Sequence, residues 1–162
     1  MYVLDANIFI QSNRAHYGLD FVPGFWEWLD KAFDEGLICS IKKVGGELAA
    51  GSDELTTWAA IRPDLFLPMD AACTRPLGEL AVWANSGHFS AAAVSEFLSS
   101  ADYELVAYGA AHRYTVVTME KPEPQRKSKV KIPDACAAHG VTWMSPFEML
   151  RTEEARFILS SR

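Results

Sequence analysis

Short apolar runs alternate along this chain with longer stretches in which apolar residues recur at helical spacing. Residues 2–5 form an apolar run too short for a helix, and residues 37–41 form a second one, so both predict buried strands. Residues 23–35 predict an amphipathic helix, because Pro23 suits the first helical position and Gly36 follows the last. Trp28 is expected to face the core from this helix, and Trp26 to lie on the surface, where an aromatic side chain can meet a partner.

The remaining periodic segments predict further helices and strands. Helices are expected over residues 44–50, 53–61, 76–83, 91–98 and 101–112, and strands over residues 114–118 and 141–144. Ser145 and Glu148 then form a capping box at the start of a last helix. Because strands separated by helices pair in parallel through crossovers, we expect an α/β fold. The prediction is one domain over residues 1–162, a three-layer arrangement with a central, mostly parallel sheet of four or five strands flanked by helices.

Composition adds constraints of size, compartment and charge. The 162 residues are 49% hydrophobic, enough for a core without disulfides. The three cysteines form no CxxC pair and are expected to be buried free thiols, and the four histidines share no metal-ligand spacing and are expected to be non-catalytic. The start of the chain has no basic and apolar leader, and no apolar stretch reaches the ~20 residues that span a bilayer. A cytoplasmic protein without membrane contact is therefore expected.

Five acidic residues are placed where the predicted strands end or where helices begin near those ends. They are Asp5, Glu47, Asp102, Glu120 and Asp134. Ligands of open parallel sheets bind beyond the carboxyl ends of the strands, so several of these acids are expected to converge. Crowded carboxylates repel one another unless a cation compensates, and oxygen ligands favour Mg²⁺ or Mn²⁺. The net charge of −6 argues against nucleic-acid binding by charge alone, but it is compatible with acids gathered around a metal.

Each acid also has a structural interpretation. Asp5 can cap the helix that begins near Ala6, and Asp102 can complete a capping box with Ser99. Glu47 can be a solvated helix residue. Glu120 and Asp134 can be ordinary loop acids.

Four sequence motifs in order resemble those of PIN-domain nucleases. The chain opens with an apolar strand that ends in Asp5-x-Asn7, and it has an acid in a helix after the second strand. The third motif is an Asp at the start of the alanine-rich helix over residues 101–112, and the fourth is the strand ending Thr118-Met119-Glu120. The resemblance covers nearly the whole chain and is closest to a PIN-like bacterial and archaeal branch catalogued as a domain of unknown function. Glu120 departs from the family pattern, which usually has Asp there.

The resemblance implies a metal-dependent ribonuclease, often the toxin of a toxin–antitoxin pair. The catalytic residues would then be Asp5, Glu47, Asp102 and Glu120, which with Asp134 would hold Mg²⁺ or Mn²⁺. Asn7 and Thr118 would orient these groups or a water molecule. The cation would activate water for attack on the phosphodiester, leaving 5′-phosphate and 3′-hydroxyl ends. The expected partners are RNA, an antitoxin protein and, as a further candidate, a second copy of the chain.

A basic segment follows Glu120. Arg126, Lys127, Lys129 and Lys131 are the dense part of this run, and we expect an extended loop that contacts the RNA backbone. A solvated loop without a ligand is the alternative.

Two other functional classes compete with the nuclease. A haloacid-dehalogenase phosphatase or a receiver domain also begins with a strand ending in Asp, but the former needs a second Asp where this chain has Asn7. A non-catalytic PIN-like module that binds RNA or protein is the stronger alternative. A test of metal binding distinguishes the two classes, because a nuclease should bind the ion through Asp5 and a non-catalytic module need not.

Overall fold

A single sheet of five parallel strands forms the centre of the protein. The computed structural model describes residues 1–158. The strands are β1 (Tyr2–Leu4), β2 (Ile38–Ile41), β3 (Phe66–Leu67), β4 (Thr115–Val117) and β5 (Trp143–Met144). They lie side by side in the order β3-β2-β1-β4-β5, and every neighbouring pair is parallel. After β1, the chain adds β2 and β3 on one side of β1, and it then crosses the sheet to add β4 and β5 on the other side.

Nine α-helices of the described residues flank this sheet in a three-layer α/β arrangement. They are α1 (Ala6–Gln11), α2 (Pro23–Asp34), α3 (Lys42–Ala49), α4 (Glu54–Ala60), α5 (Thr74–Ala84), α6 (Ala91–Ser99), α7 (Ala101–His112), α8 (Ile132–Ala138) and α9 (Pro146–Thr152). The predicted fold class is confirmed. Of residues 1–158, no helix combines the length and apolar character needed to cross a membrane.

Most predicted elements are present within two residues of their expected ends. The helix over Ala101–His112 has the predicted bounds, and Ser145 forms the predicted capping box with Glu148. Strand β3 was not predicted, because two residues are too few to show any periodicity. Helix α8 was also missed, and it places Asp134 in a first helical turn and not in a loop.

The prediction for Trp26 of α2 was wrong, whereas Trp28 packs against the core as expected. Trp26 is buried and Trp28 is partly buried. The Trp26 indole N–H donates to the Tyr17 carbonyl over 2.6 Å, and its ring meets Trp58 edge-on with centroids 5.0 Å apart. An aromatic side chain with a satisfied N–H is stable in a core, so Trp26 offers no surface to a partner.

The centre of the sheet is fully apolar and closely packed against α7. Leu4 of β1 and Val116 and Val117 of β4 have no exposed surface. Gly109 lets α7 approach the sheet, since a Cβ there would lie 2.7 Å from the Val116 side chain. The three cysteines are buried free thiols, as predicted. This packing fixes the strand ends that carry the polar residues described next.

Candidate metal-binding acidic cleft

Asp5 is a buried carboxylate at the carboxyl end of the central strand. It directly follows β1, and only 3% of its surface is exposed. It occupies the N-cap position of α1, but its side chain makes no capping hydrogen bond. Instead, Oδ2 accepts a hydrogen bond from the Thr118 hydroxyl over 2.8 Å. Helix capping therefore does not account for this residue, and the side chain points to the end of β4.

Thr118 and Asn7 connect the end of β4 to the start of α1. The Thr118 oxygen accepts from the Glu120 backbone N–H at 3.1 Å and from Asn7 Nδ2 at 3.4 Å. The Asn7 side-chain oxygen in turn accepts from the Met119 backbone N–H at 3.1 Å. Because the Thr118 oxygen already accepts two hydrogen bonds, its own proton is available to Asp5. These two residues thus position Asp5, as expected from the sequence.

The topology explains why the polar residues meet here. Strands β2 and β4 lie on opposite sides of β1, so the chain changes direction across the sheet between β1 and β4. A crevice opens outside the strand ends at such a switch point, which is where open α/β sheets bind ligands. Asp5 and Thr118 occupy the carboxyl ends of the two strands that flank this point.

Asp102 and Glu120 face Asp5 closely enough to change its ionisation. The pKa of Asp5 is raised from 3.8 to about 7, mainly by burial and also by the negative charges of Asp102 and Glu120, while the hydrogen bond from Thr118 opposes the rise. Burial also raises the pKa of Asp102 to about 6, helped by the charges of Glu120 and Glu47. Asp5, Asp102, Glu120 and Glu47 therefore form one interacting group of acids.

Asp102 begins α7, and Glu47 approaches it from α3. The Asp102 side chain is partly buried, and α7 has Ser100 at its N-cap without a side-chain capping bond. The predicted capping box with Ser99 is absent from the described structure, since that hydroxyl donates to the Ser95 and Glu96 carbonyls. Partial desolvation raises the pKa of Glu47, while a hydrogen bond with the Ala101 backbone and the charge of Lys43 oppose that rise. Lys43 also pairs with Glu104 of α7 over 3.0 Å, which holds the two helices together.

Glu120 has two partners besides the acids. One carboxylate oxygen accepts from the Ile132 backbone N–H at 2.8 Å, at the first residue of α8. The other lies 3.6 Å from Lys131 Nζ. Its side chain is only 13% exposed. The longer glutamate side chain therefore links the cleft to the start of α8, a role that a loop acid would not have.

Asp134 contacts the backbone of the basic segment through one of its carboxylate oxygens. Its Oδ2 accepts from the Glu123 backbone N–H at 2.9 Å, so it closes the ends of the segment between β4 and α8. The charges that raise the pKa values of Asp5 and Asp102 come from Glu120, Glu47, Glu96 and each other, and Asp134 is not among them. Within residues 1–158, we therefore assign Asp134 to holding the loop.

The basic loop is defined here as residues 121–131, and two of its five cations, Arg126 and Lys131, are paired with nearby acids among the described residues. Lys131 lies 3.4 Å from Glu123 as well as near Glu120, and only 15% of its side chain is exposed. Arg126 pairs with Glu123 over 3.1 Å. Lys129 lines a small pocket with Asp102 and lowers the pKa of that acid. Among the described residues, Lys127 makes no ion pair.

The donor set of the cleft fits a hard divalent cation. Burial raises the pKa values of Asp5, Asp102 and Glu47, and the charges of neighbouring acids raise those of Asp5 and Asp102 as well, a repulsion that a cation relieves. Their carboxylate oxygens are the ligands that Mg²⁺ and Mn²⁺ prefer. The acids are not drawn together as tightly as in a preformed site, however. Within residues 1–158, three potential ligand atoms lie within 4.8 Å of one another only at Asp70, Cys73 and His112.

A family model with the description "Domain of unknown function (DUF4411)" matches residues 2–157. The chain belongs to the DUF4411 family. No curated protein and no solved structure matches the DUF4411 chain. The family match covers β1 to the end of α9, including each strand end and helix start that contributes to the acidic cleft.

Sequence reasoning missed two features of this DUF4411 chain. The ion pair of Lys131 with Glu120 and the position of Lys129 beside Asp102 were unexpected, although an apolar Val130 between the two lysines signals that the end of the loop is buried. The group formed by Asp70, Cys73 and His112 was also missed. Only Asp70 and Cys73 are near in sequence. His112 is the last residue of α7, and helices α5 and α6 separate α7 from Cys73, so no spacing rule joins the three residues.

Proposed function

We propose that this protein is a metal-dependent endoribonuclease that hydrolyses RNA phosphodiester bonds. The observation that carries the proposal is Asp5, a carboxylate that is 3% exposed and whose pKa is raised to about 7 by burial and by the charges of Asp102 and Glu120. Keeping several acids in a dry cleft is costly without a compensating cation, and strongly perturbed acids cluster at functional sites. The resemblance to PIN-domain nucleases supplies the substrate class.

In this proposal Asp5, Asp102 and Glu47 hold Mg²⁺ or Mn²⁺, with Glu120 beside them. The bound ion supplies Lewis acidity toward the phosphate and lowers the pKa of a water molecule. Thr118 keeps Asp5 in one orientation through its hydroxyl, and Asn7 holds Thr118. Glu120 also joins the cleft to α8, so changes in the loop are transmitted to the acids.

Cleavage of a labelled single-stranded RNA in Mn²⁺ tests the proposal. Asp5→Asn and Asp102→Asn should each lower the rate by at least about a hundredfold, because metal stabilisation of the transition state is worth several kcal/mol. Asp34→Asn, at an exposed position at the end of α2, is the matched control and should cleave at the wild-type rate. Cleavage that survives excess EDTA, or that is equal in the wild-type and Asp5→Asn proteins, would contradict the proposal.

The same assay separates the two candidates for the fourth acid. Glu120→Gln should lose most activity, because Glu120 interacts with Asp5 and Asp102. Asp134→Asn should keep activity within a few-fold, because its carboxylate holds a loop amide. The reverse ranking would make Asp134 the ligand.

A toxin paired with an antitoxin is the biological setting that the resemblance suggests. Expression of the wild-type chain alone should then slow growth, and Asp5→Asn should not. The antitoxin would cover the acidic cleft or the basic loop. Equal growth with both chains would remove the toxin interpretation while leaving the enzyme assay to judge the chemistry.

A non-catalytic module that binds RNA or protein is the second candidate. It is favoured by the pairing of Lys131 with Glu120 and by the charge of Lys129 near Asp102, which offset part of the acidic charge without any metal. Calorimetric titration with Mn²⁺ distinguishes the two, since the enzyme should bind the ion through Asp5 and a scaffold need not.

A further inference from the structure

Asp70, Cys73 and His112 bring an oxygen, a sulfur and a nitrogen ligand together outside the acidic cleft. Cys73 Sγ lies 3.4 Å from Asp70 Oδ1, and His112 Nε2 lies 3.0 Å from Asp70 Oδ2. Zinc bonds of ~2.3 Å to sulfur and ~2.0 Å to nitrogen or oxygen place neighbouring tetrahedral ligands ~3.3–3.5 Å apart. One ligand atom from each of the three side chains lies within 4.8 Å of the other two, so a small approach of the side chains would give the spacing that one Zn²⁺ requires.

Local structure holds each of the three ligands in place. Asp70 precedes a single 3₁₀ turn, Ala71–Cys73, and its carboxylate accepts from the Ala72 backbone N–H at 3.0 Å. This turn fixes Cys73 relative to Asp70. His112 is the last residue of α7, where its ring packs 4.4 Å from the Tyr108 ring centroid. A metal site on such constrained elements needs little reorganisation to bind an ion.

The His112 ring gives an independent sign that a ligand is missing. Its Nε2 atom is buried, and its carboxylate neighbour, Asp70 Oδ2 at 3.0 Å, is within ion-pair distance but makes no well-directed hydrogen bond with it among the described residues. A buried polar atom without a hydrogen bond is destabilising and uncommon in folded proteins. A cation between Nε2 and the carboxylate would give this nitrogen the partner that the fold leaves out.

The electrostatic surroundings also favour a cation. His112 lies at the carboxyl end of a twelve-residue helix, where the aligned backbone carbonyls carry partial negative charge. Asp102, at the opposite end of the same helix, is ~15 Å away along the axis. The group is therefore separate from the acidic cleft and is not an extension of it.

Nucleophilic chemistry does not explain this group. Cys73 has no exposed surface, and burial is the main cause that raises the pKa of its thiol. A buried thiol is neither reachable by a polymer nor activated for attack. Among the described residues, the Cys73 thiol hydrogen-bonds with Asp70 and not with His112, whose imidazole would have to remove the thiol proton.

We propose that Asp70, Cys73 and His112 bind one Zn²⁺ or a similar thiophilic divalent ion. The Cys73 thiol proton leaves to solvent as the sulfur–zinc bond forms, and no oxidation is involved. His112 binds as neutral imidazole through Nε2, and its proton stays on Nδ1. The fourth position faces the side on which Asp70 is half exposed and takes a water molecule. The ion ties the start of α5 to the end of α7.

Titration of metal-stripped protein with Co²⁺ tests this site directly. The wild-type chain should bind one equivalent and develop the near-ultraviolet absorption of a thiolate–cobalt bond, which Zn²⁺ then displaces. Cys73→Ser should lose the band, and Cys136→Ser, which replaces another buried thiol, should keep it. His112→Gln and Asp70→Asn should each weaken Zn²⁺ affinity by at least about tenfold, since even supporting partners of metal ligands contribute ~10–100-fold.

Several outcomes would overturn the site. These are the absence of a thiolate band in the wild type, a band that persists in Cys73→Ser, or unchanged Zn²⁺ affinity in both His112→Gln and Asp70→Asn. If Cys73→Ser fails to fold, the Zn²⁺ affinities of His112→Gln and Asp70→Asn decide whether the site exists, because His112 and Asp70 are partly exposed and can be replaced without disturbing the core. Asp5→Asn must keep the band, so failure of the nuclease proposal and failure of this one remain distinguishable. Mg²⁺ should not compete, because thiolate selects softer ions.

Discussion

Replacement of Asp5 by Asn should make the metal-free protein more stable at high pH and should abolish the proposed ribonuclease activity. The reason is the raised pKa of Asp5, which means that the folded state favours the protonated carboxyl relative to the unfolded state. Between about pH 4 and pH 7 the unfolded chain releases this proton first. Stability therefore falls as pH rises through this window and does not fall further above it. Asn has nearly the same shape and no charge to bury.

The size of the effect follows from the shift. A pKa raised from 3.8 to about 7 corresponds to roughly 4 kcal/mol of destabilisation once Asp5 is ionised in the fold. About 2–3 kcal/mol of this develops between pH 5 and pH 8 by the same linkage relation. The introduced asparagine accepts the hydrogen bond from Thr118 less strongly than a carboxylate does, which costs about 1 kcal/mol at every pH. The pH-dependent part of the difference is therefore the informative one.

Urea denaturation in EDTA at pH 5 and pH 8 measures this difference. The free energy of unfolding of Asp5→Asn relative to wild type should rise by about 2–3 kcal/mol between the two pH values. Asp34→Asn should show no such rise, because Asp34 is exposed. Saturating Mn²⁺ should stabilise the wild type and not Asp5→Asn. A relative stability that stays constant from pH 5 to pH 8 would refute the reasoning that burial and neighbouring acids strain this carboxylate.

Two further predictions concern the loop and the helix–sheet contact. In an Asp5→Asn background, replacing Arg126 and Lys127 by Gln should weaken binding to single-stranded RNA and lower its salt slope by about 1.4 if both contact phosphates. Arg75→Gln on α5 serves as the control, and an unchanged slope would make the loop a surface feature. Gly109→Ala should lower the free energy of unfolding by about 1–2 kcal/mol, because its Cβ would lie 2.7 Å from a β4 side chain. Gly78→Ala, with open space around its Cβ, should leave stability unchanged or slightly raise it, and equal effects at both glycines would contradict the close approach of α7.

The fold class was predictable because it depends on periodicity over long segments. Helix α7 has the predicted bounds, and the parallel sheet follows from strands separated by helices. Strand β3 could not be predicted, since a two-residue strand exists only through its pairing with β2. The wrong prediction of a surface position for Trp26 has a similar cause. Helical spacing places both near the core boundary, and the hydrogen bond from Trp26 to the Tyr17 carbonyl decides which one is buried.

The candidate site was predictable as far as strand ends allow. Asp5 and Thr118 follow adjacent strands, so their meeting follows from the topology, and the charge coupling of Asp102 agrees with its expected place. The different roles of Glu120 and Asp134 depend on helix α8, whose existence the sequence pattern did not reveal. The Asp70 and His112 pairing is a contact between distant segments, and no local signal encodes it.

The central position of β1 has a consequence for how the protein opens. Its backbone pairs with β2 on one side and β4 on the other, so its amides should exchange with solvent only when the whole sheet unfolds. Asp5 directly follows this last segment to open. Residues 121–128 of the basic loop are exposed and can move without breaking the sheet, whereas Lys131 contacts Glu120. Asp5 therefore keeps its place during such local movement, and Glu120 is the acid of the cleft whose contacts a larger movement of the loop would change.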